Sequence, residues 1–363
     1  MGLRQCLITG GCGFVGSHLA CHLHRVFPGL HITALDNFHR HGSRLNALIL
    51  EQEGIDVREG DVRDEALWKT LPPCDLVIDA AAEPSVLAGR GGGDADYVVG
   101  TNLVGTLHLL EWLRRNGGRL VFLSTSRVYP VEALRAIRLE TRGDRFEPAA
   151  DQPFPGITPR GIGSGFPMEG PRTLYGATKY ASEIMVREYA AQFGLDVVIN
   201  RCSVLAGPRQ MGKTDQGIVA LWAARHVYQR PLQYLGYGGR QVRDLLHIDD
   251  LAELVALQAE HVSPFHAQVY PVGGGPERSV SLRELTRLCQ TFSGHIVPLS
   301  EDPAIRPGDA PWIVMDTTET ERDFPWRPRR SVADIVRDTI QWIVANQERL
   351  AEVLDDPAER AGG

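Results

Sequence analysis

Tyr175 and Lys179, in the segment TLYGATKYASE, are the residues whose types and spacing most directly suggest chemistry. Of nine tyrosines, Tyr175 alone has a lysine four positions on, and Lys179 is one of three lysines, the others being Lys69 and Lys213. On a helix, residues i and i+4 share a face. An ammonium there, with a cationic nicotinamide ring, would favour the phenolate and draw the tyrosine pKa from about 10 towards neutrality. Such a phenolate can act as a general base on a sugar hydroxyl. Alone the pair is a weak signal, since Y-x-x-x-K also arises on helices that only face solvent. A third group is Thr125, in FLSTSRVYP, where the apolar run Leu120–Leu123 ends in hydroxyl residues. Buried strands often end this way without any catalytic part, so Thr125 gains meaning only from its neighbours.

The chain start supplies a cofactor for that chemistry. The first apolar run leads into TGGCGFVGSHLA, with Gly10, Gly13 and Gly16 spaced G-x-x-G-x-x-G at the opening of a helix. Gly10 permits the tight turn, Gly13 lets the backbone approach a pyrophosphate, and Gly16 lets helix and strand pack closely. The helix N-terminus adds free N–H groups and a favourable dipole. Three glycines often mark only a turn, but a position after a strand and before a helix is what a dinucleotide site requires. Asp36 ends the second apolar run, twenty residues after Gly16. A carboxylate there accepts hydrogen bonds from an adenosine ribose and repels a 2′-phosphate, so NAD is expected. Arg40 is the counter-argument, since an arginine can hold the 2′-phosphate of NADP.

A second phosphate-loop pattern competes. GPRQMGKT, Gly207–Thr214, fits G-x-x-x-x-G-K-T, and LVID at 76–79 could offer the aspartate that holds magnesium in a nucleotidase. The chain start already carries a better-placed loop, so a surface loop with a chance match is the preferred reading.

These residues need a scaffold. Apolar runs at Cys6–Thr9, Ile32–Leu35, Leu76–Ala80, Leu120–Leu123 and Val197–Ile199 read as buried parallel strands. Val15, Leu19, Leu23, Val26 and Phe27 recur at helical spacing between the first two. Strand–helix alternation predicts an α/β fold with a doubly wound parallel sheet. Pro130 to Arg172 is rich in Pro, Gly and charge and reads as a long functional loop. Helices are expected at Ile218–Tyr228, in SLRELTRLC and in SVADIVRDTIQWIVANQ, with a frayed tail after Asp355.

The formal net charge of -7 argues against a nucleic-acid partner. Cys6, Cys12, Cys21, Cys74, Cys202 and Cys289 form no metal spacing, so no metal is expected and a reducing, cytoplasmic compartment fits. No signal peptide is visible, and no apolar stretch is long enough to span a bilayer.

The order TGxxGxxG, Asp36, GDVRD at 60–64, AAAEPSV at 80–86, Asn102, STSRVY, Y-x-x-x-K and RDLLHIDD at 243–250 resembles the extended short-chain dehydrogenase/reductase family, the NAD-dependent epimerases and dehydratases. Within it, DNFHRHGS, STSRVY, GPRQMGKTDQG and GGRQVRDLLHIDDL look most like the CDP-paratose 2-epimerases, also called CDP-tyvelose epimerases. The resemblance implies a Rossmann-type NAD-binding domain at 1–203 with a returning segment near 242–273. It implies a smaller C-terminal substrate-binding domain from 204–241 and 274–355. Thr125, Tyr175 and Lys179 would be catalytic. Gly10, Gly13, Phe14, Val15, Gly16, Asp36, Asn37, Asp61, Val62, Ala80, Ala81, Ala82, Asn102, Tyr175, Lys179 and Cys202 would meet NAD. Glu83, Thr125, Ser203, Arg209, Gln210, Gln216, Arg243 and Arg306 would meet the nucleotide sugar, Arg243 and Arg306 as diphosphate clamps.

In the related 4,6-dehydratases, Asp and Glu follow the threonine and serve elimination of water. Here Ser126 and Arg127 follow Thr125, so the acid–base pair for elimination is missing. What remains is oxidation and re-reduction by one cofactor, which is epimerisation. Val204 stands where many 4-epimerases carry a polar residue, and Glu83 where many relatives are neutral, which leaves the sugar open. An NDP-hexose 4-epimerase such as UDP-glucose 4-epimerase is the enzymatic alternative. A non-catalytic NAD-sensing protein is the other, though it would not need the Thr125–Tyr175–Lys179 set. Helices near Val99–Leu113 and Leu174–Tyr189 usually build a dimeric four-helix bundle in this family, so a homodimer is implied, with a tetramer as the larger option.

Overall fold

The computed structural model describes residues 2–90, 94–212, 216–261 and 264–355. Seven parallel strands form the central sheet: β1 Gln5–Thr9, β2 His31–Asp36, β3 Asp56–Glu59, β4 Leu76–Asp79, β5 Arg119–Thr125, β6 Asp196–Cys202 and β7 Gln268–Val272. Their order is β7-β6-β5-β4-β1-β2-β3, a Rossmann-type doubly wound sheet that reverses direction beside β1. The expected strands are all present; β3 and β7 are additions. Both lie at the sheet edges. Thr9 pairs with Asp79 across β1 and β4, and Thr125 with Cys202 across β5 and β6, so the functional strand ends are level.

Burial explains the sheet. Val197, Val198 and Ile199 of β6, with Leu120, Val121 and Phe122 of β5, have no exposed surface. Helices Phe14–Val26 and Ile248–Glu260 pack on one face; Gly105–Asn116 and Leu174–Phe193 pack on the other. A smaller C-terminal part has its own apolar cluster, drawn from helices Ile218–Val227, Leu282–Ser293 and Val332–Ala345. Ser281 and Ser331 start the last two of these with capping boxes. A short sheet, Val204–Ala206, Val242–His247, Ser279–Ser281 and Trp312–Ile313, joins this part to the cleft. Residues 130–172 are more ordered than their composition suggests. They hold a helix, Val131–Arg135, and two hairpins, Leu139–Arg142 with Arg145–Pro148 and Ile157–Thr158 with Gly161–Ile162. The expected frayed tail after Asp355 lies outside the described residues. Among those described, no helix is long and apolar enough to cross a membrane.

Candidate active site

The carboxyl ends of β1, β2, β4, β5 and β6 open into a cleft of about 1090 Å³ that continues to the C-terminal part. At one end the fingerprint glycines are a steric necessity. Gly10 has φ +61°, and a Cβ there would lie 2.8 Å from Ala80 O; a Cβ on Gly16 would lie 2.2 Å from Gly10 O. Any side chain would force helix Phe14–Val26 away from β1. Asp36 closes the turn: its carboxylate accepts from Cys12 N at 3.0 Å and Phe38 N at 2.8 Å, while burial raises its pKa. Arg40 is turned towards the loop after Ala206, where it donates to Met211 O at 2.9 Å and to the Gln216 side chain.

The hydroxyl end is built by a helix start. Thr173 caps helix Leu174–Phe193, its Oγ1 accepting from Gly176 N at 3.1 Å. Tyr175 is therefore in the first turn and Lys179 one turn further in. A Cβ on Gly176 would lie 2.1 Å from Arg127 O, so only glycine lets this turn rest on the end of β5. Thr125 then reaches the Tyr175 hydroxyl.

Burial dominates the electrostatics of the protein's own groups at this end. Burial pushes the Tyr175 phenol up to about 12, opposed by the Thr125 hydrogen bond and by the charge of Arg127. Lys179 is deeply buried, with Nζ 3.9 Å from the centre of the Phe122 ring. Burial lowers its pKa, against the charges of Asp79 and Glu183. The charge of Arg127 thus favours the phenolate, and Lys179 lines the same cleft.

The lining includes Gly10, Gly13, Phe14, Val15, Gly16, Asp36, Asn37, Val62, Ala80, Ala81, Ala82, Tyr175, Lys179 and Cys202 of the expected cofactor set. It also includes Glu83, Thr125, Ser203, Gln210, Gln216, Arg243 and Arg306 of the expected substrate set. Three expected residues fall outside it. Asp61 supports Asn37, accepting from Asn37 Nδ2 at 2.9 Å, and its ion pair with Arg63 holds it down at about 2. Asn102, within a π-helical turn at Gly100–Val104, receives Glu83 N at 2.8 Å and donates to Glu83 O and Thr178 Oγ1 at 3.1 Å. It ties the β4 loop to the helix of Tyr175. Arg209 points to the back of helix Phe14–Val26, with Nε 3.0 Å from His18 Nε2. Ser203 donates to the carboxylate of Asp244, a buried acid pushed up to about 6 by desolvation.

The structure also brings in residues the motifs did not single out. Buried Ser43 Oγ and Asn46 Oδ1 line the cofactor end without a hydrogen-bond partner, as does Oε1 of Gln210, from the expected substrate set, further along. Orphaned polar atoms in a cleft wall fit a polar ligand, and the glycine turn leaves room for a pyrophosphate. The only sequence signal was two polar residues early in a helix otherwise apolar on that side.

The competing phosphate loop has a different setting. The Asp79 carboxylate accepts from Thr9 Oγ1 at 2.6 Å and Thr106 Oγ1 at 3.3 Å, which leaves it committed inside the sheet. The helix after the loop begins only at Ile218. Lys213 and Thr214 lie outside the described residues.

Comparison with known proteins agrees with this architecture. The model of the NAD dependent epimerase/dehydratase family matches residues 6–273. A CDP-paratose 2-epimerase from Salmonella typhi is 28% identical, over 93% of this chain and 98% of its own. A dTDP-glucose 4,6-dehydratase from Xanthomonas campestris is 27% identical, over 96% of this chain and 95% of its own. The crystal structure of Thermus thermophilus UDP-glucose 4-epimerase in complex with NAD superposes with a TM-score of 0.72 at 27% identity, covering 94% of this chain and 99% of that one.

Proposed function

Because the chain belongs to the NAD dependent epimerase/dehydratase family, we propose that it is a nucleotide-sugar epimerase inverting C-2 of a CDP-sugar, of the CDP-paratose to CDP-tyvelose type. Its cofactor is NAD, which when bound accepts and returns a hydride. The observation that carries the choice of epimerase over dehydratase is the wall beside Tyr175. Ser126 and Arg127 line it directly after Thr125, and neither is a carboxylic acid. Elimination of water needs an acid for the leaving hydroxyl and a base for a carbon-bound proton. Glu83 is the nearby carboxylate whose charge reaches Tyr175, and its Oε1 is engaged by Ser85 N at 3.0 Å.

Tyr175 takes the sugar hydroxyl proton and Thr125 steadies that oxygen. Lys179, one helical turn on from Tyr175, lines the same cleft. Arg243 and Arg306 hold the diphosphate while the keto sugar turns, so that its other face meets the returning hydride. Residues 1–203 with 242–273 form the NAD-binding domain; 204–241 and 274–355 form the substrate domain. Exposed Val104, Ile184 and Phe193 on the helices beyond the site support a homodimer through that face. The unpaired cysteines suit a cytoplasmic setting. The likeness to CDP-paratose 2-epimerase supports C-2, and that to UDP-glucose 4-epimerase keeps an NDP-hexose 4-epimerase as the second reading.

The test is turnover of a panel of CDP-, UDP-, GDP- and dTDP-sugars in heavy water, followed by NMR. An internal hydride keeps the migrating hydrogen away from solvent. The product should carry no deuterium at the inverted carbon, and the position of that carbon decides between C-2 and C-4. Tyr175→Phe should keep NAD and lose roughly two to four orders of magnitude in turnover. Deuterium at the inverted carbon would sink the hydride mechanism.

A further inference from the structure

Arg127 touches both ends of the reaction. Its own N–H donates to Thr125 Oγ1 at 3.2 Å, and its carbonyl is the atom against which Gly176 packs. Its side chain leaves this hydroxyl end and donates from Nη1 to Gly308 O at 3.3 Å. Gly308 belongs to the loop 306–309, whose first residue, Arg306, lines the cleft. The same loop is held from two other places. Arg135 Nε donates to Asp309 O at 3.0 Å, and Arg243 Nη2 meets the Asp309 carboxylate at 2.5 Å and Ala310 O at 2.7 Å. Gly308, at φ +75°, lies so close to Thr173 that a Cβ would come 2.3 Å from its Cγ2. The loop therefore rests on the residue that caps the helix of Tyr175.

The chemistry of the guanidinium suits a strut. Burial and the neighbouring charge of Arg243 bring its pKa down to about 10, so it stays cationic at neutral pH. Its hydrogen bond goes to a peptide carbonyl and not to a carboxylate, which sets it apart from an ordinary salt-bridging residue. Arg127 and Arg243 both feel Asp309, whose carboxylate is the one bonded to Arg243. The wall is left with surplus positive charge that an anionic diphosphate completes.

We infer that Arg127 is a positioning residue that fixes the distance between the hydroxyl-reacting pair Thr125 and Tyr175 and the diphosphate-holding loop 306–309. The inference rests on the proposed function, in which the substrate is a nucleoside diphosphate sugar. A sugar that turns about its diphosphate returns to the same oxygen site only if the pivot is in register with that site. A displacement of about 1 Å in such a site can cost two orders of magnitude in rate. Arg127 sets that register through the backbone of the loop, so its effect depends on the loop's own phosphate ligand, Arg306.

The test is a double-mutant cycle read by calorimetry, with CDP and UDP as probes and NAD-loaded protein. Arg127→Met and Arg306→Met should each weaken the diphosphates about tenfold, and the double variant should fall no more than about threefold below the weaker single one. Arg127→Lys, whose ammonium can still donate to Gly308 O, should stay within about threefold of the wild type. Losses that multiply to about a hundredfold would make Arg127 an independent phosphate contact and overturn the inference. So would an Arg127→Met that binds the probes like the wild type, one that loses its NAD, or a lysine variant as weak as the methionine one. A wild type that binds CDP and UDP but interconverts no nucleotide sugar would sink the proposed function while this coupling stays measured; one that binds neither probe sinks both.

Discussion

His18 shows how a side chain can serve the site from behind it. It belongs to the fingerprint helix and is 8% exposed; according to tautomer its Nε2 accepts from Arg209 Nε or donates to Pro208 O, and Asp249 stands 3.6 Å from Nδ1. Burial pushes its pKa from 6.5 down to about 4. The unfolded chain thus binds more protons than the folded one between those values. This contribution to stability is complete above pH 6.5 and is lost as pH falls towards 4. Denaturant unfolding at pH 7 and at pH 4.5 should differ by on the order of 2 kcal/mol more in the wild type than in His18→Gln. Equal losses in the two proteins would place the acid sensitivity elsewhere. Arg209 looked like a substrate ligand because it lies in a loop that resembles one, yet its direction is set by φ +66° and by the His18 ring. Gly10, Gly16, Asp36, Thr125 and Tyr175 were legible because each lies in a short local motif. Gly176, Ser43 and Asn46 were not, because what they meet is distant in sequence.

At the scale of elements, the hairpin Leu139–Pro148 is the clearest addition to the expected scheme. Its strands, LETR and RFEP, are short and carry charge at Glu140, Arg142, Arg145 and Glu147, so no period of two in hydrophobicity announces them. It is held by its surroundings: Phe146 N donates to Arg240 O at 3.1 Å, Arg145 meets Glu284 at 3.1 Å, and Asp144 in the turn meets Arg283 and Arg287. The turn it braces precedes Arg243. Solvent-accessible ion pairs at a surface contribute little to stability, so the hairpin acts through position. Replacing residues 139–148 by a Gly-Ser linker should leave NAD content unchanged and raise KM for the nucleotide sugar roughly tenfold, with kcat altered less than about threefold. An equal fall in kcat with KM unchanged would show that the hairpin reaches the reacting end. Strands β3 and β7 escaped notice for related reasons. DVRE has few apolar residues, and QVYPV contains Pro271, which an edge position tolerates.

In the whole molecule the fold class was readable because apolar runs alternate with helical patterns. The order of assembly was not, because the seventh strand comes after a long excursion through the second apolar cluster. β7 pairs with β6 from Val198↔Gln268 to Cys202↔Val272 and covers its outer edge. A fragment of residues 1–203 would expose that edge together with Val197, Val198 and Ile199. It should sediment as aggregate and retain no NAD; a soluble, NAD-binding monomer would show that β7 is dispensable. During synthesis the consequence is one of timing. The ribosome makes the glycine turn before the strands that complete its sheet, and the sheet stays open until residue 272 has left the exit tunnel. The nascent chain must therefore carry the unsealed, apolar edge of β6 from the synthesis of Cys202 until that of Val272, and it is at that stage that chaperones would find it.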